Sequence, residues 1–144
     1  MGKCTSSDLD LPGARLDGDY AEYSAATARL LAYFTDECAR DLSGLITHFT
    51  EDTEVITPDG VYRGRDAVTA LYKKSFDSYP ALAVHVKAGF QGRRENCFEY
   101  RAELTDVDNK IWLIEGINLM RLERGLIVSL RSFEDAPCPL TEEE

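Results

Sequence analysis

Positive charge is what this 144-residue chain has least of: 16 lysines and arginines stand against 26 aspartates and glutamates, a net charge of −10. Nucleic-acid binding rests on cations that neutralise phosphates, and attraction to an anionic membrane surface needs them too, so neither partner is expected. Histidine is scarcer still, with only His48 and His85. The four cysteines, Cys4, Cys38, Cys97 and Cys138, make no CxxC pair. Without metal-ligand spacing no metal site is expected, and the cysteines read as reduced, intracellular thiols. No apolar run approaches the length of a membrane span, and no charged-then-apolar leader opens the chain. The expected location is the cytoplasm. A membrane anchor would arise only if Met1-Gly2-Lys3-Cys4-Thr5-Ser6, which fits a myristoylation pattern, were acylated at Gly2 and Cys4.

What is present suffices for one core: 44% of the residues are hydrophobic. Residues 1–19 lack any period and read as a flexible arm; 20–136 read as a single domain; 137–144 read as a solvated tail. Inside the domain the period switches once, from helical to alternating. Tyr20, Tyr23, Thr27, Leu30, Leu31, Phe34 and Cys38 recur every three or four residues and predict a long amphipathic helix. Asp41 is placed to cap a short second helix. Thr53–Thr57 predicts a strand stopped by Pro58-Asp59-Gly60, and a third helix follows Gly64 and ends before Pro80. Beyond it come four strands, Leu82–Phe90, the alternating run around Phe98–Leu104, Ile111–Leu122 and Leu126–Glu134. Helices first and a meander after them predict an α+β fold, with helices packed on one sheet face.

Three segments then carry a resemblance. Asp41-Leu42-Ser43-Gly44-Leu45-Ile46-Thr47-His48-Phe49 with Thr50-Glu51-Asp52, Val61-Tyr62-Arg63-Gly64-Arg65-Asp66-Ala67-Val68, and Gly116–Arg121 followed by Gly125–Val128 resemble, in order and spacing, motifs of the nuclear-transport-factor-2-like superfamily. The nearest branch is that of SnoaL-like polyketide cyclases and ketosteroid isomerases. The resemblance implies a cone-shaped barrel, about three helices on a strongly curved mixed or antiparallel sheet, a homodimer, and one pocket for a small apolar substrate without a cofactor. It also implies an oxyanion-binding tyrosine at Tyr33 and a second pocket tyrosine at Tyr72. The family's catalytic aspartate position holds Thr57, and its protonated pocket aspartate becomes Asn118. A threonine hydroxyl cannot take a proton near neutral pH, so a steroid-type isomerase is not expected. Tyr33 and Asn118 can still donate hydrogen bonds to a developing negative charge.

Strand alternation supplies a substitute base. If Asn118 faces the pocket, Leu130, Ser132 and Glu134 face it too, with Arg131, Phe133 and Asp135 on the other side. Glu134 would then be desolvated and its pKa raised. His85 is a second candidate for proton transfer. Thr57, Asp59, Tyr72, Phe98, Tyr100, Trp112, Leu130 and Ser132 complete the expected substrate wall. His48 reads as a hydrogen-bonded core histidine, and Arg101, Glu99, Glu103 and Glu115 as charges on the outer sheet face. The expected activity is cofactor-free acid–base chemistry, as in a cyclase, isomerase or dehydratase of secondary metabolism. An epoxide hydrolase of the same fold and a non-catalytic ligand-binding or dimerisation module are the rivals.

Overall fold

The structure, a computed structural model, describes residues 20–92 and 95–140, with the side chains of 20–26 and 91 excepted. The expectations for residues 1–19, acylation included, lie outside that range.

Helix α1 spans Tyr20–Cys38, as its apolar spacing predicts, and buries Leu30, Tyr33 and Phe34. It ends in a Schellman closure: the Asp41 N–H bonds the Asp36 carbonyl at 2.9 Å and the Arg40 N–H bonds the Glu37 carbonyl at 3.0 Å. Arg40 adopts the left-handed conformation this closure needs, with φ 59°. For a residue with a Cβ that costs about 1–2 kcal/mol. Helix α2 covers Leu42–Ile46, where Asp41 accepts the Gly44 N–H at 3.0 Å as the predicted cap. Helix α3, Arg65–Ser78, starts after Gly64, whose φ of 87° only glycine adopts freely.

Among the described residues seven strands follow the order that the alternating segments predict, with three differences. They are β1 Phe49–Thr57, β2 Gly60–Arg63, β3 Ala81–Gln91, β4 Glu95–Thr105, β5 Ile111–Glu123, β6 Leu126–Glu134 and β7 Cys138–Pro139. The sheet order is β2-β1-β6-β5-β4-β3, with β7 added to β5. All pairings are antiparallel except β1 with β6, so the sheet is mixed, and hydrogen bonds do not close it among the described residues.

The first difference is that β1 begins at Phe49, four residues ahead of the predicted Thr53. The polar run Thr50-Glu51-Asp52 hides it, because a bulge between Phe49 and Glu54 breaks the alternation. Thr53 stabilises that bulge by donating to the Ile127 carbonyl at 2.7 Å and accepting the Thr50 N–H at 2.7 Å. The second is β2, which the turn after Thr57 makes into a short edge strand. The third is β7: two residues of the expected solvated tail pair instead with Trp112 and Leu113.

The core lies between the helices and the inner sheet face. Phe49, Leu45, Phe98, Met120 and Ile127 are at most 1% exposed, and such side chains each contribute about 1.5–3 kcal/mol on burial. Cys97 and Cys138 are free thiols. Cys38 is disulfide-bonded, which corrects the expectation of reduced cysteines at that position. No described helix is long and apolar enough to cross a membrane.

Candidate functional site

The helices and the inner face of the sheet leave a cavity of about 630 Å³ between them. Helix α1 brings Tyr33, Glu37 and Arg40 to it, four and then three residues apart and hence on one helical face. Helix α3 brings Leu71, Tyr72 and Ser75. Thr57 and Asp59 come from the end of β1 and its turn, and Val84, Tyr100, Asn118, Leu130 and Ser132 from the inward positions of β3–β6. Glu134 and Asp135, both exposed, stand at its rim.

Two phenols meet across the helices. The Tyr33 and Tyr72 hydroxyls are 2.6 Å apart, both side chains buried, their rings edge to face. Burial raises the pKa of each well above the usual phenol range, and the charge of Glu37 adds to the rise. Both therefore remain protonated donors near neutral pH. One proton serves their mutual bond, and the other is left for a neighbouring carboxylate or a bound oxygen.

A third phenol crosses the sheet. Tyr100 on β4 pairs with Gly116 on β5, which pairs with Glu134 on β6. The phenol passes over the glycine and donates to Glu134 at 3.0 Å, with the Ser132 hydroxyl 3.2 Å away. A Cβ on Gly116 would stand 2.8 Å from both the Tyr100 hydroxyl and the Phe133 carbonyl, so only glycine admits this crossing. Burial raises the Tyr100 pKa, with the Glu134 charge second.

The desolvated carboxyl of the site is Glu37. Burial pushes its pKa up to about 7; the Arg40 charge opposes that rise, Glu134 reinforces it, and the Tyr33 hydroxyl opposes it. A carboxyl balanced between its two forms near neutrality is suited to accepting or delivering a proton. The expectation of a desolvated Glu134 is corrected accordingly: it ends its strand at the open rim, exposed and hydrogen-bonded. Glu37 went unnoticed in the sequence, although its spacing from Tyr33 on α1 was the available signal.

The other expected site residues divide. Tyr33, Tyr72, Thr57, Asp59, Tyr100, Asn118, Leu130, Ser132 and Glu134 all reach the cavity. His85 does not: it is exposed, on the face opposite buried Val84 and Val86, because strand alternation turns it outward. Phe98 is buried in the core cluster and does not line the cavity. Trp112 is also absent from the wall, its indole drawn to Asp106 by a 3.0 Å hydrogen bond and covered by Lys110. Asp135 reaches the rim rather than the other face, since alternation ceases where β6 ends. Thr57 accepts the Asp59 N–H at 3.1 Å and so serves the turn.

Outside the cavity His48 is a core histidine, as read. Arg29 lies 2.7 Å from Nδ1 and Asp36 2.7 Å from Nε2. A guanidinium can only donate, so Nδ1 accepts and Nε2–H donates to Asp36. On the outer sheet face Lys87 pairs with Glu115 at 2.7 Å. No cluster of three or more His, Cys, Asp or Glu fit to hold a metal occurs among the described residues.

A family model described as a SnoaL-like domain matches residues 28–130. The chain belongs to the SnoaL-like family. No curated protein matches it in sequence. Solved structures share the SnoaL-like fold. The Δ5-3-ketosteroid isomerase from Mycobacterium sp. superposes with a TM-score of 0.72 at 21% identity, over 81% of this chain and 98% of that one. A Jannaschia sp. CCS1 protein provisionally named a SnoaL-like polyketide cyclase gives 0.68 at 16% identity, over 78% and 86%. An epoxide hydrolase from M. tuberculosis gives 0.69 at 12% identity, over 78% and 84%. At such identities the likeness is one of fold, and chemistry must be argued from this SnoaL-like domain's own cavity.

Proposed function

We propose that the cavity is the active site of a cofactor-free acid–base enzyme acting on a small, mostly apolar substrate, in a cyclisation, isomerisation or dehydration. The observation that carries this reading is the Glu37 carboxyl, held near pKa 7 by burial beside a pair of protonated phenols. Glu37 takes a proton from carbon next to a carbonyl, while Tyr33 or Tyr72 donates to the oxygen on which charge develops. Glu134, at the rim and hydrogen-bonded, holds Tyr100 in the wall. Aromatic and aliphatic side chains restrict the substrate to few conformers, which favours closure of one ring over others. The folds of a named cyclase and an isomerase support the same class.

Deuterium exchange at the α-carbon of 2-tetralone, followed by NMR, tests the proton transfer without knowledge of the product. The protein should accelerate exchange, and Glu37→Gln should lower that acceleration by about 10²–10⁴-fold. Equal rates in the two proteins would remove Glu37 from the role. Tight binding without any exchange would favour a ligand-binding module, a reading supported by Thr57, which replaces the family's base and is engaged in a turn.

A homodimer through the outer sheet face, where Ile117 and Phe133 are exposed beside the Lys87–Glu115 pair, belongs to the same proposal. So does a cytoplasmic location, supported by the free thiols Cys97 and Cys138 and opposed by the bonded Cys38.

A further inference from the structure

The end of α1 departs from what local chemistry favours. The position that turns left-handed in a Schellman closure is normally glycine, because a Cβ is strained there. This chain has Arg40, at φ 59°. Strain held at one residue points to a use for its side chain. The side chain returns over the helix end, stacks its guanidinium 4.5 Å above the centre of the Phe76 ring, and forms part of the cavity wall. Its Nη1 donates to the Glu37 carbonyl at 3.3 Å. Its Nε and Nη2 are shut off from water and have no hydrogen-bond partner among the described residues. No carboxylate among the described residues forms an ion pair with it, although Glu37 lies one helical turn away. A guanidinium with unmet N–H groups in a cavity wall that also holds phenols, aliphatic side chains and Lys74 is an incomplete site for an anion.

We propose that Arg40 recognises a single ionised oxygen on the substrate, so that the ligand class is an aromatic or polycyclic carboxylate, enolate or phenolate whose apolar body fills the cavity. A rotation of the guanidinium on Phe76 would turn Nε and Nη2, which are covered in the cavity wall, side by side toward such an oxygen. Glu37 is the carboxyl whose charge acts on Arg40, and its retention of a proton toward neutral pH reduces repulsion of a bound anion. Glycine at position 40 would relieve the backbone but remove the guanidinium from the wall, leaving Lys74 as the cavity's other cationic residue.

This inference takes the cavity as the substrate site, and so rests on the acid–base reading, but its test is one of binding alone. Calorimetry would compare 2-naphthoate, 2-naphthalenemethanol and 2-naphthylmethylammonium on the wild-type protein and on Arg40→Gly and Arg40→Met. The wild type should bind the carboxylate at least tenfold more tightly than the alcohol, about 1.4 kcal/mol. Both variants should lose that preference. Arg40→Gly should do so with no fall in Tm, which a merely structural arginine would not allow. Arg40→Met keeps the apolar stem on Phe76 and serves if the glycine variant does not fold. The proposal is overturned if the carboxylate binds no better than the alcohol, or gives no heat at millimolar concentration. It also fails if the ammonium compound binds best, or if Arg40→Met keeps the carboxylate preference. Loss of tetralone exchange with that preference intact would count against acid–base catalysis and not against Arg40.

Discussion

The hydroxyls of Tyr33 on α1 and Tyr72 on α3 lie 2.6 Å apart in the buried wall of the cavity, one donating to the other. Each helix thus satisfies the other's phenol. Removing one hydroxyl strands a buried polar group, at a cost of about 1–3 kcal/mol, whereas removing both leaves nothing unpaired. Urea titration should therefore show Tyr33→Phe and Tyr72→Phe each less stable than the wild type, and the double variant less destabilised than the sum. Strict additivity would mean the two phenols do not depend on one another.

Glu37 makes stability fall as pH rises. Its folded pKa, about 7, lies above its ordinary value of 4.5, so the folded protein holds the proton more tightly than the unfolded chain. That contribution is complete below about pH 4.5 and is lost as pH climbs through 7, on the order of 3 kcal/mol at most. The difference in unfolding free energy between wild type and Glu37→Gln, followed from pH 4.5 to 8, isolates it from other titrations. The wild type should lose ground steadily against the variant; a flat difference would place Glu37 in water.

Gly116 is the gap through which Tyr100 reaches Glu134. Alanine there puts a Cβ 2.8 Å from a main-chain carbonyl that cannot move aside. Overpacking of this kind typically costs about 1–3 kcal/mol. Gly116→Ala should lower the Tm, and Gly116→Ala in a Tyr100→Phe background should lower it by nearly as much, because the Phe133 carbonyl remains.

His48 holds α1 against the start of β1, through Asp36 and Arg29. His48→Ala should destabilise by about 1–3 kcal/mol, yet leave tetralone exchange unchanged at temperatures where the variant is folded. A large loss of exchange at full folding would give the histidine a part in the chemistry.

Much of this was legible beforehand where one rule acts alone. Alternation along β6 placed Leu130 and Ser132 at the cavity, and the spacing of α1 placed Leu30 and Phe34 in the core. Sequence reasoning missed what depends on two rules in competition. The bulge before Glu54 masked half of β1, and its compensation by Thr53 is visible only in three dimensions. Glu37 and Arg40 are charged residues near a helix end, where solvent exposure is the ordinary expectation. Only the closeness of α3 and the sheet encloses them. His85 sits among apolar neighbours in the chain, but one step of alternation separates those neighbours from it in space. Glu134 showed the reverse: its direction was right, but where a strand stops, burial stops with it.

The parallel alignment of β1 with β6 joins Thr53 to Ile127 across 74 positions of chain. Such a union cannot assemble from neighbouring segments, and closing so long a span before any reward arrives makes it slow. During synthesis the hairpins of β3, β4 and β5 can form as they emerge, while β1 waits for its partner. The hollow thus acquires its last wall only after nearly all of the domain has left the ribosome, and any molecule arriving early would find nothing to occupy.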